Sequence, residues 1–333
     1  MTPFRAHGRP RPPHPGPLPE GEGGLVRLLL PLPLGEGRGE GGGGSNLPIS
    51  SYSPRMRLLF ASDLHGALDR YEKLFAAAER ERPEAVLLGG DLLPGGALLG
   101  AADFFAEVLE PRLERLRRVS PETRVLAIFG NDDPRSEEAS LLALERRGLL
   151  EYAHDRRIEV AGHAVYGYQY VPPTPFLLKD WERYDVSRFV DPGCVSPEEG
   201  IRTVAVPARE LRWRTIAADL ERLAGEDDVS AAVFLFHSPP YETRLDCAAL
   251  AGQSFDHAPL DPHVGSIAIR RFIEARQPRL TLHGHIHESA RLTGSWRDAI
   301  GRTVMLSAAH DGPELALVRI DPEAPEGATR ELV

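Results

Sequence analysis

The histidines of this chain are concentrated in one short segment. Residues 280–289, LTLHGHIHES, place His283, His285 and His287 at alternate positions, although the 333 residues contain only 12 histidines. Acidic, amide or imidazole side chains also follow four other apolar segments. The residues after these five segments are Asp63 and His65, Asp91, Asn131 and Asp132, His237, and His285 and His287. Nearly all of them are oxygen and nitrogen ligands for metal ions, so the set predicts metal chemistry.

The segments before these side chains are short apolar runs, typical of strands buried on both faces. Predicted helices separate the first three runs, and this alternation predicts parallel pairing through crossover connections. The carboxyl ends of neighbouring parallel strands line one crevice, so the polar side chains are expected to converge there. The predicted strands are residues 57–62, 85–90, 124–130, 231–238, 279–284, 303–308 and 314–320, with a hairpin at residues 157–168.

The predicted helices have apolar residues at helical spacing. One covers residues 68–82, and another covers residues 265–277. A third runs from Leu98 to Val119 and is expected to bend or break at Pro111, since proline removes a backbone donor. A fourth covers residues 136–148, with Ser136 as its predicted N-cap.

Each candidate ligand has another explanation when it is taken alone. Asp63 suits a helix N-cap, and His237 suits a buried core histidine. Asp91 and Asn131 suit turns, which favour these residue types. Packing alone does not explain why five strand ends all finish in ligand-type residues. The set as a whole therefore predicts a metal site.

The order and spacing of these motifs resemble the calcineurin-like metallophosphoesterase superfamily. The motifs are Asp-x-His, Gly-Asp, Gly-Asn-x-Asp, a lone His and Gly-His-x-His, and the similarity runs from Met56 to about residue 310. The resemblance implies an α/β fold, a four-layer αββα sandwich with a two-metal site at the strand C-terminal ends, in a domain spanning residues 55–333. It assigns one metal to Asp63, His65, Asp91 and His287, and the other to Asp91, Asn131, His237 and His285.

Two divalent cations sharing Asp91 would lower the pKa of a common water and neutralise phosphate oxygens. The chain is therefore predicted to be a phosphoesterase that attacks with a metal-activated hydroxide. Carboxylate, amide and imidazole ligands without cysteine suit Mn, Fe or Zn.

Two positions depart from the pattern of the superfamily. Asp132 stands where many members have a histidine, and an ionised carboxylate there is a poor acid that repels a doubly charged monoester. A phosphodiester is therefore the expected substrate. Pro94 stands where a further aspartate commonly follows the bridging residue, and Asp133 is expected to orient Asn131 or a histidine. Asn131, Asp132 and Asp133 are the predicted catalytic residues.

Two further residues of the histidine segment carry predictions. Gly284 is expected to let the backbone turn tightly, so that His285 and His287 reach different metals. His283 is expected to donate a hydrogen bond that orients a ligand, with simple packing as the alternative.

Two segments have no predicted regular structure. Residues 1–54 are dominated by Pro and Gly and are expected to be disordered. Residues 169–207 have no clear period, and a loop of that length predicts a lid-like or substrate-side insertion. The aromatic residues Tyr170, Trp181 and Tyr184 of this segment, with Tyr168 just before it, are better explained as a small core than as a platform for a nucleobase.

Composition limits the partners. A net charge of -10 disfavours nucleic acid, which binds through dense basic contacts. Cys194 and Cys247 indicate no disulfide framework, and no apolar run is long enough to span a bilayer, so a cytoplasmic protein with a small phosphoester substrate is expected. The alternatives are a phosphomonoesterase or protein phosphatase, a non-catalytic scaffold and a nuclease. The oligomeric state is left open.

Overall fold

Two β-sheets form the centre of the described part of the chain, in a computed structural model that describes residues 58–95, 104–160 and 162–333. The first sheet contains β1 (Leu58–Ala61), β2 (Ala85–Gly89), β3 (Arg124–Ile128), β4 (Glu151–Tyr152), β13 (Ala316–Ile320) and β14 (Thr329–Leu332). The second contains β5 (Arg156–Val160), β6 (His163–Tyr168), β7 (Val233–Phe236), β10 (Leu280–His283), β11 (Arg297–Ile300) and β12 (Thr303–Ser307). The short strands β8 (Ser254–Phe255) and β9 (Ala258–Pro259) form a separate pair.

The helices connect these strands and cover the sheets. They are α1 (Leu68–Glu81), α2 (Glu110–Val119), α3 (Glu138–Arg146), α4 (Ala208–Trp213), α5 (Ile216–Ala224), α6 (Ile267–Arg276) and α7 (Ser289–Thr293). Short 3₁₀ turns cover Arg135–Glu137 and Pro325–Gly327.

The sheet order brings the predicted strand ends together. The first sheet has the order β14-β13-β1-β2-β3-β4, and the second has β11-β12-β10-β7-β6-β5. Strands β1, β2 and β3 are parallel, as predicted, and so are β6, β7, β10 and β12. The carboxyl ends of β1, β2 and β3 carry the aspartate motifs, whereas those of β7 and β10 carry the histidines.

The residues of the central strands alternate between two hydrophobic clusters. Leu58 and Phe60 of β1 belong to a cluster shared with Leu235 and Leu282 of the second sheet, so this cluster fills the space between the sheets. Leu59 belongs to a cluster that includes the helical residues. The sheets thus pack face to face with helices outside, which confirms the predicted α/β sandwich.

The third predicted helix starts with a different geometry. Residues 105–109 form a π-helical turn in which the Glu110 N–H donates to the carbonyl of Phe105, and α2 follows. Pro111 lies in the first turn of α2, where its missing donor costs little. Residues 98–103 of the prediction lie outside the described residues.

The insertion at residues 169–207 is irregular, as predicted. Its backbone pairing is limited to isolated bridges, including Val171 with Glu182 and Leu178 with Ile201. The aromatic side chains noted above are all buried, as a small core requires; they are Tyr168, Tyr170, Trp181 and Tyr184. A lid function of this segment remains a prediction.

The expectation of disorder for residues 1–54 falls outside the described part of the chain. Within the described ranges, none of the helices combines the length and the apolar character needed to cross a membrane.

Candidate metal centre

The predicted ligands sit on unusual backbone at the strand ends. Asp63, His65, Asp91 and His285 have φ angles of 56°, 45°, 50° and 73°. Left-handed backbone costs roughly 1–2 kcal/mol for residues other than glycine, and such strain persists only where surrounding contacts fix it. Its concentration in four of the seven predicted ligands is a structural indication of a functional site.

Backbone hydrogen bonds fix the first two motifs against each other. The N–H of Asp63 donates to the carbonyl of Gly90 at 2.9 Å, and the N–H of His65 donates to that of Asp91 at 2.8 Å. The N–H of His285 in turn donates to the Asp63 carboxylate at 3.0 Å. Three strand ends are therefore locked together by main-chain groups.

The first group of ligands contains Asp63, His65, Asp91 and His287, whose donor atoms lie within 4.8 Å of one another. The Nε2 atoms of His65 and His287 are 3.2 Å apart. His287 Nε2 is 3.4 Å from Asp63 Oδ1, and His65 Nε2 is 3.8 Å from Asp91 Oδ2. The structure thus brings together the four residues predicted for the first metal.

The second group contains Asp91, His237 and His285, again with donor atoms within 4.8 Å of one another. His237 Nε2 lies 3.3 Å from Asp91 Oδ2 and 3.2 Å from Asn131 Oδ1. The Nδ1 of His237 donates to the Gly89 carbonyl at 2.8 Å, so Nε2 is the nitrogen that faces the group. Asp91 belongs to both groups, in the position of the predicted bridge.

Two glycines allow the ligands to approach closely. A Cβ on Gly130 would overlap Asp91 Oδ1 and His237 Nε2, and a Cβ on Gly284 would overlap Ser62 Oγ and approach Asp63 Oδ2. The expectation of a tight turn at Gly284 needs correction, because the left-handed residue is His285. Gly284 is required for space, not for a positive φ.

The pKa values show how the carboxylates and imidazoles are coupled. Burial alone would lower the pKa of His237, but the charge and hydrogen bond of Asp91 outweigh burial and raise it to about 10. Asp63 likewise outweighs the burial of His287 and raises its pKa to about 9. Burial and the charge of His237 lower the pKa of His285 to about 3. The carboxylates thus favour positive charge on their neighbours, and cation binding would displace protons from His237 and His287.

Asp132 and Asp133 have different positions. Asp132 faces the crevice, with its side chain 43% exposed and Oδ2 3.8 Å from His65 Nδ1. Asp133 is fully buried, and its carboxylate accepts from the N–H groups of Leu92, Leu93 and Gly130 at 2.8–3.1 Å. Burial and the nearby Asp91 raise the pKa of Asp133 to about 8.

The predicted role of Asp133 is therefore refined. Its hydrogen bonds go to backbone N–H groups after Asp91 and before Asn131, and not to the Asn131 side chain or to a histidine. Asp133 positions the loops that carry the ligands, and this places it apart from the residues that line the crevice.

His283 acts on the backbone next to a ligand. Its Nδ1 lies 3.0 Å from the Ser238 carbonyl, and its Nε2 lies 2.7 Å from Thr281 Oγ1. The ring also stacks on Phe236 with a centroid distance of 5.7 Å. The packing alternative is thus present, and the hydrogen bond reaches the backbone beside His237 and not a ligand side chain, so the orienting role stays a prediction.

The predicted cap at Ser136 is wrong. Ser136 lies inside the 3₁₀ turn after Asn131, and the insertion supplies the caps. Asp180 Oδ2 accepts from the N–H of Arg135 at 2.8 Å, and Thr203 Oγ1 accepts from the N–H of Ser136 at 2.9 Å. The insertion is therefore joined to the loop that follows the Gly-Asn motif.

Two residues that contact the ligand-bearing loops were missed from the sequence. Asp180 lies in the aperiodic insertion, where no pattern distinguishes it. Arg70 lies on the polar side of α1 and donates to the Asp63 carbonyl at 2.6 Å. Its position resembles that of other helical arginines of the chain, so no sequence signal separates it from them.

The donor set fits divalent transition metals. It combines carboxylate and amide oxygens with imidazole nitrogens, and no cysteine takes part. One carboxylate is common to two groups of donors, which is how paired metal ions are held.

Comparison with known proteins adds independent findings. Residues 56–289 match the family model described as calcineurin-like phosphoesterase. One similar solved structure is 15% identical with a TM-score of 0.53, and the match covers 83% of this chain and 98% of that chain. A Thermus thermophilus protein is 17% identical with a TM-score of 0.49, covering 83% and 97%. A dimetal phosphatase from Danio rerio is 14% identical with a TM-score of 0.45, covering 80% and 92%. No curated protein matched the chain.

Proposed function

Since the chain belongs to the calcineurin-like phosphoesterase family, we propose that it is a phosphoesterase that uses two divalent metal ions and prefers phosphodiesters. The observation that carries this proposal is the position of Asp91 in both groups of donor atoms. A shared carboxylate suits a pair of ions better than two independent sites, because it sets their separation.

The residues that would hold the ions follow the two groups. Asp63, His65, Asp91 and His287 would bind one ion, and Asp91, Asn131, His237 and His285 would bind the other. Mn, Fe or Zn would suit these ligands. When bound, such ions lower the pKa of a water and neutralise phosphate oxygens.

Asn131 is oriented for this role by its neighbour. The amide nitrogen of Asn131 donates to Asp132 Oδ1 at 2.9 Å. This leaves the amide oxygen of Asn131, Oδ1, beside His237 Nε2. The N–H of Asp132 also donates to Asp91 Oδ1 at 2.8 Å. Asp132 thus holds an amide ligand through its side chain and the shared carboxylate through its backbone.

Asp132 also supports the preference for diesters. Its side chain is partly exposed in the crevice, where a substrate would approach. Burial and the charge of Asp91 raise its pKa, whereas bound cations would act in the opposite direction and favour the ionised form. An ionised Asp132 repels the second negative charge of a monoester, which a diester lacks.

The test compares two aryl phosphates with the purified, Mn-loaded protein. We expect kcat/KM for bis(p-nitrophenyl) phosphate to exceed that for p-nitrophenyl phosphate. Asp132→Asn should raise the monoester-to-diester ratio by about tenfold, since it removes roughly 1.4 kcal/mol of repulsion. Asp228→Asn, at an exposed acidic residue before β7, is the matched control.

The other outcomes have defined meanings. Faster hydrolysis of the monoester by the wild type would overturn the diester preference and favour a phosphomonoesterase. Absence of hydrolysis across a panel of phosphoesters at saturating Mn would favour a non-catalytic scaffold.

A further inference from the structure

We propose that Arg70 is a positioning residue for the half of the metal centre that contains Asp63 and His65. The inference rests on the proposed two-metal function and deepens it, because it assigns one residue outside the ligand set to one of the two ions. Arg70 lies in the first turn of α1, five residues after His65.

The Arg70 guanidinium joins two loops. One Nη donates to the Asp63 carbonyl at 2.6 Å, and the other donates to the Gly312 carbonyl at 2.5 Å. Its Nε donates to the Pro313 carbonyl at 3.4 Å. Gly312 and Pro313 lie between β12 and β13, so Arg70 ties the end of β1 to a loop from another part of the chain.

The bond to Asp63 falls where the backbone is strained. Asp63 and His65 both have left-handed φ angles, of 56° and 45°. The Asp63 N–H is held by Gly90, and its carboxylate accepts from the N–H of His285. Arg70 holds the remaining polar group of this residue, its carbonyl. With all three groups held, the backbone and the carboxylate of Asp63 are both fixed in place.

The chemistry of the contacts favours a geometric role. Within the described part of the chain, the donors of Arg70 are directed at backbone carbonyls, and none of its hydrogen bonds goes to a carboxylate. A planar guanidinium can span two loops with separate N–H groups, whereas a lysine ammonium offers a single point of attachment. Arg70→Lys therefore keeps the charge and removes the bridge.

The chain offers a matched control at Arg276. This residue also bridges two backbone carbonyls, those of Gly225 at 3.0 Å and Asp227 at 2.8 Å. These carbonyls precede β7, at the end of the strand opposite to His237. Arg276→Lys should thus reproduce the loss of a guanidinium bridge without affecting the ligands.

The experiment is a Mn²⁺ titration of the full chain by calorimetry. We expect the wild type and Arg276→Lys to bind two ions with the same affinities. Arg70→Lys should lower the affinity for one ion by about 10–100-fold, the usual effect of losing a group that orients a metal ligand. The affinity for the other ion should stay within about twofold of the wild-type value. The variant Asp63→Asn identifies which ion is bound more weakly. If it is the ion held by Asp63, adding Arg70→Lys to Asp63→Asn should not lower the affinity further.

The outcomes separate this inference from the proposed function. Two ions bound equally well by the wild type and by Arg70→Lys would overturn the role of Arg70 and leave the proposed function standing. A wild type that binds no Mn²⁺ would overturn both. If Arg70→Lys does not fold, Arg70→Ala with added methylguanidinium is the second test, and recovery of the weakened site supports the role, whereas no recovery contradicts it.

Discussion

The insertion and the metal centre both bury ionisable side chains, but they compensate the charges differently. In the insertion, the fully buried Lys179 lies 2.5 Å from Glu182, and Arg183 pairs with Asp219 of α5. At the strand ends, Asp63 and Asp91 are just as buried, yet the ion pairs of these carboxylates within the described residues involve only histidines.

This difference distinguishes a structural cluster from a ligand site. A buried carboxylate beside a lysine already has a permanent cation, so the pair is complete without a ligand. A buried carboxylate beside imidazoles has a partner whose charge depends on a proton. Such a site can exchange its protons for metal ions, whereas the carboxylates of the insertion already have lysine or arginine partners.

The largest expected effect comes from Asp91→Asn. It removes the carboxylate common to both donor groups, and we expect kcat/KM for a diester to fall by at least about a thousandfold, or about 4 kcal/mol. In the presence of a chelator, the same change should lower the free energy of unfolding by no more than about 1–3 kcal/mol, because it removes the partner of His237 and the acceptor of the Asp132 N–H while relieving the repulsion from Asp63. Assays and urea unfolding measure the two quantities. A large loss of stability without metal would assign Asp91 a structural role and break the comparison.

The corresponding change in the insertion is Lys179→Met, for which the expected loss is in stability. Burial raises the pKa of Glu182 to about 7 even though Lys179 acts to lower it, so the variant either leaves a buried charge unpaired or forces Glu182 to take up a proton. The expected cost is about 3–5 kcal/mol in urea unfolding, with kcat per folded molecule unchanged.

The control for this prediction is a lysine in a surface ion pair. Lys73 lies 2.5 Å from Asp69 on α1, and Lys73→Met should cost less than about 1 kcal/mol. A similar cost for both lysine variants would mean that the buried pair adds no more than an exposed one.

A smaller effect is expected where the two regions meet. Asp180 accepts from the N–H groups of Arg135 and Thr203, and Asp180→Asn removes one acceptor from this junction. We expect a loss of about 1–3 kcal/mol in stability and a decrease of a few-fold in kcat, because the turn after Asn131 loosens.

Thr215→Ala is the control for Asp180→Asn. Thr215 caps α5 through the N–H of Ala218 at 3.2 Å, and its loss should cost about 1 kcal/mol with no change in kcat. If Asp180→Asn also leaves kcat unchanged, the insertion is independent of the metal centre.

The sequence predicted the convergence of the candidate ligands better than the side chains that hold the ligand-bearing loops in place. The strand ends were predictable because buried strands, ligand-type residues and parallel topology all indicate the same crevice, and the family resemblance is confirmed. The contacts of Asp180 with Arg135 and of Arg70 with Gly312 were not predictable. They join side chains to backbone atoms 45 and 242 positions away, and neither hydrophobic period nor motif spacing encodes such pairs.

The smallest expected effect is a dependence of stability on pH at the base of the insertion, where His154 packs against Tyr170 and Trp181. The ring of His154 lies 5.4 Å from that of Tyr170 and 5.9 Å from that of Trp181. Burial, and then the charge of Arg183, hold the pKa of His154 well below its usual value near 6.5. The unfolded chain therefore takes up a proton below about pH 6.5 that the folded protein does not, and stability is lost as the pH falls through this value.

The size of this effect is bounded by one proton, at most about 1.4 kcal/mol per pH unit. We expect His154→Gln to remove that contribution between pH 6.5 and pH 5, measured by urea unfolding, and His257→Gln, in an exposed loop, to leave the wild-type dependence intact. Because the metal ligands are the same in all three proteins, the difference between the curves isolates His154. Equal slopes for the wild type and His154→Gln would show that this histidine is not held neutral, and that the base of the insertion, like the metal centre, exchanges protons.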